Sequence, residues 1–166
     1  MTTTTYGFAF LSLLLVGAIF GFFYAWVCST MWGLDAIDPR VAIEAMQGMN
    51  ASVRNAVFAP AFFGTPFALF VTGALAYGAG NRRAGRIFAV AGVLYLVGGL
   101  VLTMMVNVPM NEALAEVVVP TDVEAARAIW TEYSPRWQTF NIVRTCASGG
   151  ALVLTGLGLV ALGAKP

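Results

Sequence analysis

Trp137-Gln-Thr-Phe-Asn141-Ile-Val-Arg144 leads directly into an apolar run that ends near Leu162. On a helix, Trp137, Asn141, Arg144 and Ser148 fall at i, i+4, i+7 and i+11 and share one face, which Thr155 continues deeper into the run. A guanidinium is not left against lipid, because removing its water is costly unless the charge is paired. This stripe is therefore expected to face the inside of a helical bundle, and the fold follows from what packs around it.

The rest of the composition agrees with a membrane setting. The chain has 166 residues, 59% hydrophobic and only 10% charged, with a mean hydropathy of +0.80. Soluble domains carry about 25% charged residues. The net charge of +1 offers no basic face for nucleic acid. Histidine is absent, which removes the usual axial haem ligand, the usual general base and most zinc sites together. No phosphate-binding glycine motif and no G-x-S-x-G occurs, so nucleotide binding and serine hydrolysis have no support.

Working outward, three more runs are long enough to span a bilayer, which takes about 20 helical residues. The expected fold is all-α: an integral membrane four-helix bundle forming one domain, 1–166, with spans at about 6–31, 57–77, 87–106 and 140–162. Short amphipathic helices are expected in its two extracytoplasmic connections. One is Val41–Arg54, started by Asp38-Pro39. The other is Val123–Tyr133, started by Thr121 or Asp122 and ended by a turn at Ser134-Pro135. Asn107-Val-Pro109-Met-Asn111 is read as the end of the third span. Pro60 and Pro66 predict a bend in the second, beside a cavity. No acid lies inside the four runs, so a proton-coupled pump lacks its usual carboxylate.

Charge sets the expected sidedness. Arg82, Arg83, Arg86 and Lys165 lie on one side without any acid, and all eight acids lie on the other. Acids count little in the positive-inside rule, so the three-arginine loop places both termini in the cytoplasm of a multi-pass cell-membrane protein.

Antiparallel packing would bring four polar groups to the outer end. These are the Gln47/Asn50/Arg54 face, the Asn107/Asn111 pair, the Trp137/Asn141/Arg144 stripe, and the aromatic end of the first span with Tyr24 and Trp26. One reading is a pocket, apolar below and polar at the rim. The other is structural, with asparagines capping broken helices and Arg144 paired to Glu112 or Glu116. Apart from Met1, the methionines (Met31, Met46, Met49, Met104, Met105, Met110) fall in or near the outer half. Soft sulfur there would suit Cu(I); flexible packing around an irregular cavity is the alternative and the favoured reading. Cys28 and Cys146 fall at similar depth, as a disulfide or as small packing residues. Gly17 and Gly21 form a G-x-x-x-G face open to a second copy of the chain.

Phe22-Phe-Tyr-Ala-Trp26, Met31-Trp-Gly-Leu34, Ala45-Met-Gln47-Gly-Met-Asn50, Asn107-Val-Pro-Met-Asn111 and Trp137-Gln-Thr-Phe-Asn141-Ile-Val-Arg144 occur in that order. Together they resemble the anthrone-oxygenase-like family of small four-helix membrane proteins, across most of the chain. This chain departs in lacking His and in placing Trp32 before Gly33-Leu34. Fungal members are associated with oxidising anthrones to anthraquinones without an established metal or flavin. The resemblance thus implies a lipophilic aromatic (anthrone, phenol or quinone type) drawn from membrane lipid, O2 as co-substrate, and no metal. Arg144, Asn141, Asn107 and Asn111 would be the catalytic set, with Arg54 beside Arg144 on the anion. Tyr24, Trp26, Gln47, Asn50, Arg54 and Trp137 would bind substrate. Glu112 or Tyr133 would be the nearest base. A non-catalytic lipophile-binding module or accessory subunit of a membrane complex is the competing expectation.

Overall fold

A computed structural model describes residues 2–164. Those residues form five helices and no strand: α1 (Thr3–Asp35), α2 (Pro39–Ser52), α3 (Phe58–Gly78), α4 (Arg82–Ala115) and α5 (Val123–Gly163). All but α2 are long and apolar enough to cross a bilayer. They pack as an antiparallel four-helix bundle, the all-α membrane architecture expected.

Side-chain caps set where the helices begin. The Thr2 hydroxyl accepts from Thr5 N, Asp38 from Arg40 N, and Asp122 from Glu124 N, each relieving a first-turn donor. Asn55 Oδ1 accepts from both Val57 N and Phe58 N ahead of α3. The α3–α4 turn needs Gly80 at φ +88, and Asn81 then caps α4 while its Nδ2 donates to Ala161 O of α5 at 2.8 Å. Beside the α2 cap, Arg40 holds the Asp38 carboxyl down to about 2 through its hydrogen bonds.

The end of the bundle that holds the α3–α4 turn is filled by an apolar core including Val16, Ile19, Leu69, Phe88 and Ala151. Its few polar groups are paired, as a dry interior requires. Ser12 and Thr72 hydroxyls share a bond at 3.0 Å. Tyr95 OH donates to Phe62 O at 2.9 Å. That carbonyl is free because its usual partner would be the N–H of residue 66, and Pro66 has none.

Several expectations from the sequence are corrected. The fourth span does not restart at Ser134-Pro135: α5 is one helix of 41 residues with Pro135 inside it. At about 1.5 Å per residue it is roughly 60 Å long, about twice a hydrocarbon core of ~30 Å. Asp35 at the end of α1 explains the continuity. Its carboxylate accepts from Trp130 Nε1, Ser134 Oγ and Gln138 Nε2, gripping α5 on both sides of the proline. The third span likewise runs through Asn107-Val-Pro109-Met-Asn111 to Ala115. The α4–α5 connection therefore holds no separate amphipathic helix, whereas the α1–α3 connection does, as α2. Finally, Cys28 and Cys146 are free and exposed, so they form neither a disulfide nor part of the core.

Wide π-helical turns replace α-helix at Trp26–Thr30 in α1 and at Leu96–Val101 and Thr103–Asn107 in α4. Such turns re-aim side chains and leave carbonyls free for outside donors. Two of them, at Trp26–Thr30 and Thr103–Asn107, supply Trp26, Thr103 and Met104 to the wall of a cavity.

Candidate functional site

All five residues of the α5 stripe are buried: Trp137, Asn141, Arg144, Ser148 and Thr155. Thr155 and Ser148 satisfy their hydroxyls on carbonyls one turn back, Ala151 O and Arg144 O, so they demand nothing from neighbours. Arg144 is different. It is 5% exposed, and among the described residues no carboxylate pairs with it; Glu112 is taken by Arg54 at 3.3 Å. The paired-arginine reading is therefore corrected.

Neutral groups hold the guanidinium instead. Nε donates to Asn141 Oδ1 at 2.9 Å, and Nη1 donates to Thr103 Oγ1 at 3.3 Å. Its carbon lies 4.3 Å from the Phe23 ring centre and 4.9 Å from that of Trp137. Desolvated cation–π contacts are each worth up to about 2 kcal/mol. None of these partners cancels the charge. Nη2 donates to nothing among the described residues, and the side chain borders open space.

That space is a cavity of about 560 Å³, within the range of ligand pockets of roughly 300–1,000 Å³. Aromatic side chains form a large part of its wall: Phe22, Phe23 and Trp26 of α1, Phe58, Phe62 and Phe63 of α3, and Trp137 of α5. Trp26 and Trp137 meet with ring centres 5.1 Å apart. Polar atoms are few and placed around this wall. Thr103 and Arg144 sit on the inner side, Asn50 and Asn111 higher up, and the Arg54–Glu112 pair at the rim.

The sequence-expected residues divide by position. Trp26, Asn50, Arg54, Asn111, Trp137 and Arg144 come together on the cavity. Asn111 Oδ1 accepts from Trp137 Nε1 at 2.8 Å and from Tyr133 OH at 2.9 Å, fixing the indole edge. Asn50 Nδ2 is buried without a hydrogen bond among the described residues. Asn141 and Asn107 stand behind the wall. Asn141 Nδ2 donates to Phe23 O at 3.2 Å, while Asn107 Nδ2 donates to Trp137 O at 3.4 Å and its Oδ1 finds no partner among the described residues.

Two positions are corrected. Tyr24 is half exposed on the outside of α1, stacked on Phe20. Its neighbours Phe23 and Trp26 turn inward instead, because only those directions on the helix face the bundle. Gln47 points to the end of α4, where Nε2 donates to Leu114 O at 2.8 Å and Val117 O at 2.9 Å. It satisfies helix-end carbonyls, a structural duty. Of the methionines, Met31 and Met46 are fully buried in a second core cluster with Trp130 and Trp137, and Met49 and Met104 line the cavity.

Sequence reading missed Thr103 and Phe23. Thr103 stands alone among apolar residues, yet it is four residues before Asn107 and eight before Asn111, the spacing of one helix face. Nothing in the sequence separates Phe23 from Phe22 or Tyr24.

No curated protein and no solved structure matches this chain. A family profile described as anthrone oxygenase matches residues 53–154. The match covers more than half of the chain and carries Thr103, Asn111, Trp137 and Arg144 of the cavity lining. By that match the chain belongs to the anthrone oxygenase family.

Proposed function

We propose that the protein oxygenates a lipophilic aromatic of the anthrone or phenol type, bound as its anion against Arg144 at the extracytoplasmic end of the bundle. One observation carries the reading: a buried guanidinium with no counter-charge among the described residues, bordering a cavity walled by aromatic rings. Such a site favours a planar ligand that develops negative charge on oxygen. Phe23, Trp26 and Trp137 stack on the rings, and Asn50 donates to a second oxygen. Asn141 and Thr103 hold the guanidinium in place rather than touch substrate.

For an anthrone the overall change balances as anthrone plus O2 giving anthraquinone plus water. The ring carbon opposite the carbonyl loses a proton, and Glu112 at the rim takes it up. The enolate so formed is held with its oxygen on Arg144. Electrons pass from it to O2, the new carbon–oxygen bond forms, and loss of water leaves the second carbonyl. O2 is the oxidant, and no metal or organic cofactor is needed. The three-arginine turn supports an orientation with both termini in the cytoplasm and the cavity facing outward.

The test is oxygen uptake by purified protein in lipid vesicles supplied with anthrone. Arg144→Ala and Arg144→Lys are expected to lower kcat by about 10²–10³, the usual cost of losing an oxyanion donor, with helix content unchanged. Uptake unaffected by both variants would reject the assignment. A lipophile-binding protein without turnover is the second reading. It is favoured by the absence, among the described residues, of any carboxylate inside the cavity beyond the rim. Saturable anthrone binding without oxygen uptake would select it.

A further inference from the structure

A second hollow lies on the other side of the cavity wall. It is an open-sided groove of about 460 Å³ between α1 and α3, bordered by Ala18, Ile19 and Ala61 below and by the Ser52–Val57 turn above. Ala18 and Val57 are exposed, and Ala18 and Ala61 lie in helices apolar enough to be surrounded by lipid. The groove and the cavity share Phe22, Trp26, Met49, Val53, Asn55 and Phe58. The partition between them is thus one side chain thick. At its centre, Phe22 and Phe58 meet with ring centres 4.9 Å apart at 52°. Neither is tied by a polar bond, so each ring turns without breaking one.

We infer that this groove is the entrance by which a flat, uncharged aromatic ketone passes sideways from the bilayer into the cavity, between Phe22 and Phe58. The wall that the two hollows share carries the argument, together with the chemistry of their linings. The groove offers small and apolar side chains from α1 and α3, which suit a neutral polycycle. The rim of the cavity carries the Arg54–Glu112 pair, which suits water and ions. A lipophile crossing that rim would leave lipid for water; one crossing the groove would not. Ala18 and Ala61 set the width of the opening, since any larger side chain there projects into it. The inference rests on the proposed ligand class, and its test separates the two.

The experiment uses the full chain in phosphatidylcholine vesicles with a benzophenone carrying an octadecyl tail, which confines the probe to lipid. Irradiation is expected to label Trp137, which lines the cavity but not the groove, and excess anthraquinone should suppress that adduct. In Ala18→Phe/Ala61→Phe the adduct is expected to be lost. A water-confined benzophenone sulfonate should still label Trp137 there, showing that the variant is folded and open at its rim. If the double variant does not fold, Ala61→Leu alone should give a partial loss. Undiminished labelling by the tailed probe in a folded variant would overturn the route. Adducts confined to groove residues and indifferent to anthraquinone would assign the groove to lipid acyl chains and overturn it too. No Trp137 adduct from either probe in the unsubstituted protein would overturn the ligand class itself, and the route with it.

Discussion

Arg144 shows why a charge inside a membrane bundle deserves a functional reading. Burying a guanidinium costs several kcal/mol after relaxation, and a structural arginine recovers this from a carboxylate. Here the compensation comes from an amide, a hydroxyl and two aromatic faces, which hold the group without neutralising it. The sequence made this residue legible, because a lone cation at helical spacing from Trp137 and Asn141 has few stable destinations. It did not reveal the partners. Thr103, which reaches Arg144, follows one π-helical turn of α4 and opens another, and no residue pattern announces such a turn. The same limit misplaced Tyr24, where three consecutive aromatic residues gave no phase.

Among the elements, α3 and α4 are coupled through a missing hydrogen bond. Pro66 leaves Phe62 O without its helical donor, and Tyr95 OH supplies one from the neighbouring helix. Tyr95→Phe should therefore cost about 1–3 kcal/mol, the penalty for an orphaned buried carbonyl. In a Pro66→Ala background, where an N–H returns at residue 66, the same substitution should cost much less. Denaturation of the four proteins in mixed detergent completes the cycle, and equal costs in both backgrounds would refute the coupling. The proline was visible in the sequence as a defect; its remedy, 33 residues away, was not. Pro135 teaches the reverse. Local rules read a helix end there, but Asp35 holds α5 together across it from the end of α1.

For the whole molecule, four apolar runs and their spacing were enough to give the bundle, since a bilayer leaves helices few alternatives. How closely the helices approach was not legible. A side-chain carbon added at Gly98 would lie 2.5 Å from Ala147 Cβ, so α4 and α5 touch through that glycine. Gly98→Ala should destabilise the bundle by about 1–3 kcal/mol, as overpacking does, and Ala147→Gly should restore most of the loss in the double variant. A thermal shift in detergent that is no smaller in the double variant would show the contact to be unimportant. Orientation is a separate matter. A reporter that is active only in the cytoplasm, fused at either terminus, should be active in both fusions, whereas silence at both would invert the proposed sidedness.

The central claim is that Arg144 presents an uncancelled positive charge to a bound aromatic. A hydroxyanthraquinone changes colour when its hydroxyl ionises, so its titration in vesicles holding the protein reads that charge directly. The bound dye is expected to ionise about 1–3 pH units lower with the native arginine than with Arg144→Met, as a cation within roughly 4–6 Å requires. A bound dye that titrates identically in both proteins, at the value found in protein-free vesicles, would contradict the account.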